Sequence, residues 1–120
     1  LPPRIVLVPA ECKAEHVLEG KQRNVRLAHH PQVMEQFAGE MKAAFAPGKL
    51  DSLTKELIYL AVSVTNQCDY CIASHGSMAR KKGMTEEMYA EFMAVVLAAQ
   101  KGNKLVTAYR VPVDSMFEEK

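Results

Sequence analysis

Neither sign of charge is in excess in this chain. Fifteen Lys and Arg stand against fourteen Asp and Glu, for a net charge of +1. That balance removes the electrostatic footprint of a nucleic-acid binder or of a protein held on an anionic membrane. The few basic clusters, such as Arg80-Lys81-Lys82, have acids close by in the sequence. Long apolar runs are missing too, and none approaches the roughly 18 residues of a membrane span. The first residues, Leu1-Pro2-Pro3-Arg4, lack a charged stretch leading into an apolar one, so no signal peptide is expected. They also lack an initiator Met, which leaves room for residues upstream. Cysteine is scarce: three residues, an odd number and too few for a secreted disulfide scaffold. A cytoplasmic protein is the expectation. Internal repeats and low-complexity segments are absent.

What is there is ordinary for a globular chain. Hydrophobic residues make up 48% and charged residues 24%, which rules out a disordered or collagen-like protein. A length of 120 residues is one domain's worth, so a single domain over 1–120 is expected.

The patterning is helical. Ile5 to Val8, between Pro3 and Pro9, reads as an extended arm, because no second strand-like run lies near enough to pair with it. Residues 14–29 are weakly helical with a break at Gly20. His29 and His30 read as boundary residues before Pro31, which suits a first helical turn. From Pro31 to Ala46, the apolar positions Val33, Met34, Phe37, Ala38, Met41, Ala44 and Phe45 recur at helical spacing. Pro47-Gly48 ends that helix. The next opens at Asp51 or Ser52 as N-cap and carries a stripe of Leu53, Leu57, Leu60, Ala61 and Val64. It stops near Asn66. A helix then starts near Cys68 or Asp69 and runs to Lys82, with Gly83 as its left-handed cap. Thr85 caps another, predicted to bury Met88, Tyr89, Phe92, Val95, Val96 and Ala99 and to close at Gly102. A short helical piece, 104–109, should follow, and Pro112 stops it.

Chemistry concentrates between Glu56 and His75. From Cys68 at the start of a helix, Cys71, Ile72, His75, Met78 and Ala79 follow on one face. Cys68 and Cys71 are one turn apart, within reach of a disulfide. Cys71 and His75 are four apart, so the ring is within reach of the sulfur. The helix N-terminus, the second thiol and the imidazole all favour a thiolate, which is the nucleophilic form. A third group should orient the histidine, and Glu56 on the preceding helix is placed to do so. The roles of the two cysteines stay open on this reading. Nearness to His75 favours Cys71 as the attacking thiol, and a position at the helix end suits Cys68 as the resolving one.

Plainer readings exist for each residue. Taken alone, Glu56 lies at the margin of an apolar stripe and reads as a half-solvated surface carboxylate. The CxxC could be half of a zinc site, but zinc wants four ligands, and only His75, Cys12, His16, His29 and His30 remain, without a second tight spacing. The cysteines could be inert core residues. Cys12 reads as a free thiol without a role, and Met78, Met88 and Met93 as core filler. No metal, flavin or nucleotide motif is present.

Glu56, eleven intervening residues, Cys68-x-x-Cys71, three more, then His75 resembles the motif of the alkylhydroperoxidase D branch of the carboxymuconolactone decarboxylase superfamily. Leu27-Ala28-His29-His30-Pro31 before it and Lys81-Lys82-Gly83-Met84-Thr85-Glu86-Glu87 after it are similar to flanking segments of that family. The resemblance covers roughly residues 25 to 100. It implies an all-α fold that assembles into homo-oligomers, trimers or hexamers. It further implies a dithiol peroxidase or disulfide reductase, with Cys71 attacking, Cys68 resolving, and His75 and Glu56 relaying protons. The decarboxylase branch lacks the cysteine pair. The electrons would come from an external dithiol: a lipoyl-protein, a thioredoxin-like protein or a small thiol. Two rivals remain. One is a lactone- or carboxylate-processing enzyme using His75 and Glu56 alone, and the other is a non-catalytic redox sensor.

Overall fold

The computed structural model describes residues 21–118 of the chain. Cys12, His16 and the arm at 5–8 lie outside the described residues. Every regular element described is helical: α1 (Lys21–Arg26), α2 (Pro31–Phe45), α3 (Ser52–Thr65), α4 (Asp69–Lys81), α5 (Glu86–Ala108) and a 3-10 turn at Ser115–Phe117. The chain divides into two compact units, one ending at Thr85 and the other starting at Glu86.

In the first unit the helix ends follow from their capping residues. Pro31 stands in the first turn of α2, where no partner for a backbone N–H is needed. His30 precedes it as N-cap, and its carbonyl accepts the Met34 N–H at 3.0 Å. Asp51 caps α3 with both carboxylate oxygens. One accepts the Thr54 N–H at 2.8 Å and the other the Thr54 hydroxyl at 2.9 Å. Lys55 reaches back from α3 and donates to the Ala46 carbonyl at 2.6 Å, tying it to the end of α2.

Between α3 and α4 the chain turns through a left-handed residue. Gln67 has φ 58°, its N–H donates to the Val64 carbonyl at 3.2 Å, and the Cys68 N–H donates to Ser63 at 2.9 Å. This is a Schellman cap without glycine. The same pair of bonds closes α4, from Gly83 to Arg80 and from Met84 to Ala79, with Gly83 at φ 106°. Here the left-handed residue is the expected glycine.

The helices α3 and α4 pack against each other. Leu60 and Ala79 are fully buried, and Met84 nearly so. Burial of Leu60 contributes about 1.5–3 kcal/mol by apolar area alone. Of the expected stripe of α3, Leu60 is fully buried and Leu53, Leu57, Ala61 and Val64 are half-buried. Glu56 and Ser63 are buried beside Leu60, so a carboxylate and a hydroxyl share the covered face with the leucines. Ser63 is satisfied by donating to the Tyr59 carbonyl at 2.8 Å.

In the second unit, α5 is continuous through Gly102 rather than closing there. Glycine lowers helix stability but keeps its N–H, so it weakens a helix without stopping it. The stop comes at Arg110, with φ 48°. Its N–H bonds to Thr107 and the next N–H, of Val111, to Val106. Pro112 then bars continuation. The covered line of α5 is also narrower than expected. Val96 is buried and Tyr89, Phe92 and Met93 are half-buried, whereas Met88, Val95 and Ala99 are exposed. Phe117, in the 3-10 turn, is exposed as well.

Candidate active site

Two pairs of side chains, Cys68 with Cys71 and His75 with Glu56, lie on the packed helices α3 and α4 of the first unit. Cys68 is the N-cap of α4, with extended backbone, and its sulfur accepts the Cys71 N–H at 3.2 Å. A sulfur held there faces the positive end of the helix dipole. Cys68 and Cys71 form a disulfide, their Cα atoms 5.3 Å apart. Both are half-buried, so exposure does not separate their roles.

One turn beyond Cys71, the His75 ring is oriented from two sides. Its Nδ1 is 2.6 Å from Oε2 of Glu56. Its face stacks on the Tyr59 ring, centroids 3.7 Å apart and planes 24° apart. Phe45 of α2 stands against both rings at 5.9 and 6.2 Å. Glu56 is 2% exposed, so the surface reading of that residue is overturned. Its other oxygen, Oε1, is 2.7 Å from Nζ of Lys82. Burial pushes the Glu56 carboxyl up, but the hydrogen bonds and charges of His75 and Lys82 outweigh it and hold the group below the usual carboxylate range. An ionised Glu56 makes Nδ1 the donor. The lone pair of a neutral His75 then lies on Nε2, the nitrogen left for acid–base work.

Beside the ring lies an apolar pocket of about 600 Å³. Met34, Phe37, Met41 and Met78 form its walls, with His75 and Arg23 also lining it. The Arg23 guanidinium lies 5.9 Å from the Phe37 ring centre.

Cys68 is thus joined to Cys71 and His75 to Glu56, with Cys71 and His75 one turn apart on α4. His29 and His30 are not; they are exposed, edge to face with each other at 6.1 Å. Among the described residues, no three of His, Cys, Asp and Glu converge as metal ligands would. Sequence reasoning missed Lys82 and Phe45. Lys82 had a signal, since it lies seven residues past His75 on the same helical face.

The match to a known family extends over most of the described chain. A model of the carboxymuconolactone decarboxylase family fits residues 31–114. The chain belongs to this family. Within it, the alkylhydroperoxidase D-like branch is marked by a solved relative. The alkylhydroperoxidase AhpD core from Rhodospirillum rubrum is 43% identical and superposes with a TM-score of 0.74, covering 78% of this chain and 70% of that one. Two further relatives are described only as uncharacterized proteins. An uncharacterized protein of Cupriavidus necator is 42% identical over 65 residues, 54% of this chain and 58% of its own. Uncharacterized protein 4 in the cox locus of Paracoccus denitrificans is 38% identical over 68 residues, 57% of this chain and 61% of its own. The matched part therefore spans about three fifths of the length of these two relatives. No helix among the described residues is long and apolar enough to cross a membrane.

Proposed function

We propose that the protein is a thiol peroxidase that reduces organic hydroperoxides with the Cys68–Cys71 pair. The observation that carries this reading is a disulfide at a helix N-terminus, one turn from a histidine tied to a buried carboxylate. Nε2 of His75 takes the Cys71 proton. The thiolate attacks the distal oxygen of the hydroperoxide, an S–O bond forms and the O–O bond breaks. The leaving alkoxide takes the proton from His75 and departs as an alcohol. Cys71 is then a sulfenic acid. Cys68 attacks it, a disulfide forms and water leaves. The backbone N–H held on the Cys68 sulfur favours the thiolate needed for that step. An external dithiol reduces the disulfide by exchange and is itself oxidised to a disulfide. The balance is one hydroperoxide and one dithiol to one alcohol, one water and one disulfide.

The apolar pocket beside His75 supports an organic rather than a hydrophilic peroxide. The reductant belongs to the lipoyl-protein, thioredoxin-like or small-thiol class, because the site chemistry asks only for a dithiol. A reducing, cytoplasmic setting agrees with a pair that must cycle. A homo-oligomer, trimer or hexamer, is part of the same proposal. The exposed apolar residues of α5, among them Val95, Leu97, Leu105 and Val106, give it a surface to bury.

A second reading rests on the family's decarboxylases and on the His75–Glu56 pair, which could process a lactone or carboxylate without the thiols. One experiment separates them. Turnover of cumene hydroperoxide with dihydrolipoamide is followed for the wild type, Cys71→Ser, Cys68→Ser and the double variant. The peroxidase reading expects all three variants to lose turnover, and Cys71→Ser to lose the sulfenic acid trapped by dimedone. No turnover in the wild type with any dithiol would overturn it. In parallel, pH-dependent alkylation of the reduced protein should place the Cys71 thiolate midpoint below the roughly 8.5 of a free thiol, and His75→Gln should raise it.

A further inference from the structure

We propose that Lys82 is a positioning residue that keeps His75 available as a neutral base, by balancing the buried charge of Glu56. The use made of that base rests on the peroxidase reading; the charge geometry does not.

The Glu56 carboxylate is 2% exposed and has one partner on each oxygen. A buried carboxylate needs a compensating positive charge, and two groups here could supply it. Lys82 is one and a protonated His75 is the other. With Lys82 in place, a neutral His75 leaves the trio at zero charge, and an imidazolium would leave it at +1. Without Lys82 the preference inverts. A neutral His75 would strand a buried negative charge, and an imidazolium would cancel it. Which state the ring prefers is therefore set by a residue that does not touch it.

The fold holds Lys82 for this task. It is the C-cap of α4, its N–H donating to Met78 and Ala79 at 3.1 Å, so its place follows from the helix that carries His75. The two residues are seven apart, two helical turns, and they bracket Glu56 from α3. The negative end of α4 favours a cation there. Nζ also lies 5.4 Å from the Phe45 ring centre, where an aromatic face favours a cation. The side chain is only 25% exposed, which limits screening by water.

The other groups around the ring do not replace it. From α3, Tyr59 stacks on it, and Lys55 is engaged with the Ala46 carbonyl. From α2, Phe45 is uncharged, while Glu35 lines the pocket that His75 also lines. Arg23 of α1 and Tyr70 of α4 line the same pocket. Arg23 and Glu35 are of opposite sign, and both are retained in the variants below.

The test is the titration of the His75 ring, read by NMR with carbon-labelled histidine in the disulfide form, where neither Cys68 nor Cys71 titrates. Wild type, Lys82→Met, Lys82→Gln and Lys82→Arg are compared, and His29 and His30 serve as internal references. The expected result is a midpoint raised by about one pH unit or more in Lys82→Met and Lys82→Gln, a tenfold gain in proton affinity. Lys82→Arg should restore the wild-type midpoint. In a Glu56→Gln background the effect of Lys82→Met should fall to a small fraction, because no buried charge remains to balance. Equal midpoints in wild type and both neutral variants would overturn the proposal, and so would an arginine that fails to restore in a folded protein. Lys82→Gln keeps a polar group of similar reach and covers the case in which Lys82→Met does not fold. Absence of peroxidase turnover in the wild type would strike the preceding reading and leave this titration as it stands.

Discussion

Tyr59 lies flat against His75, with 3.7 Å between ring centres, while Glu56 holds the edge of the same imidazole through Nδ1. Tyr59 and Glu56 are three residues apart on α3, so one helix face supplies both restraints. A ring fixed by an edge bond alone can still rock about that bond. The stacked phenol removes that freedom. Tyr59→Ala should therefore lower peroxide turnover by about tenfold or more, as a misplaced general base does. Tyr59→Phe keeps the flat surface and should stay near the wild type. Steady-state turnover of both variants with one hydroperoxide checks this.

Glu56 ties stability to pH. Its folded carboxyl is held below the usual range, so it binds a proton less readily folded than unfolded. That contribution is fully present above the unfolded value near 4.3 and is lost as pH falls through the folded value. Urea midpoints measured from pH 7 down to pH 3 should fall for the wild type. The fall should be shallower in Glu56→Gln, which has no such proton to gain. A steeper fall in the glutamine variant would contradict the assignment.

Leu60 is completely buried between the two polar residues of the α3 line. Leu60→Ala should cost about 2–5 kcal/mol through lost burial and the cavity left behind. Denaturant unfolding of the oxidised protein measures it directly, and a cost under about 1 kcal/mol would mean the site collapses around the gap.

The two Schellman caps offer a matched pair of substitutions. Gln67 adopts a left-handed conformation that a side chain resists, and Gly83 adopts one that glycine accepts. Gln67→Gly should stabilise by roughly 0.5–1 kcal/mol, and Gly83→Ala should destabilise by about 1 kcal/mol. At Gly83 an added Cβ meets nothing within 4 Å, so a loss there would report backbone strain rather than collision. Thermal unfolding of the two variants tests both signs.

The pocket wall should set substrate size. Met78→Glu places a charge among Met34, Phe37 and Met41. It should raise KM for cumene hydroperoxide by about tenfold or more, the scale expected for a charge facing an apolar ligand. Turnover of hydrogen peroxide, which has no apolar part to place, should change little.

Much of this was readable from local chemistry. Asp51 as a cap, Pro31 at a helix start, Cys68 at the head of α4 and Gly83 at its foot all act through bonds to near neighbours. What escaped was set by partners far along the chain. Glu56 read as surface because a lone carboxylate does not stay buried, and the lysine that makes burial tolerable comes 26 residues later. The same cause added a carboxylate to the buried line of α3 beside Leu60. Gln67 is a left-handed cap with no glycine to mark it, while Gly102 marks no break at all. In both cases the hydrogen bonds of the surrounding backbone outweigh the preference of one residue.

The turn that ends α3 and begins α4 is held by main-chain bonds: Gln67 to Val64, Cys68 to Ser63, and Ile72 to Cys68. None of these passes through sulfur. Opening the Cys68–Cys71 bond should therefore leave the corner standing, with the redox state recorded on two atoms rather than in the shape of the chain. On the peroxidase reading, such a corner lets the pair be oxidised and reduced many times without its helices letting go of one another.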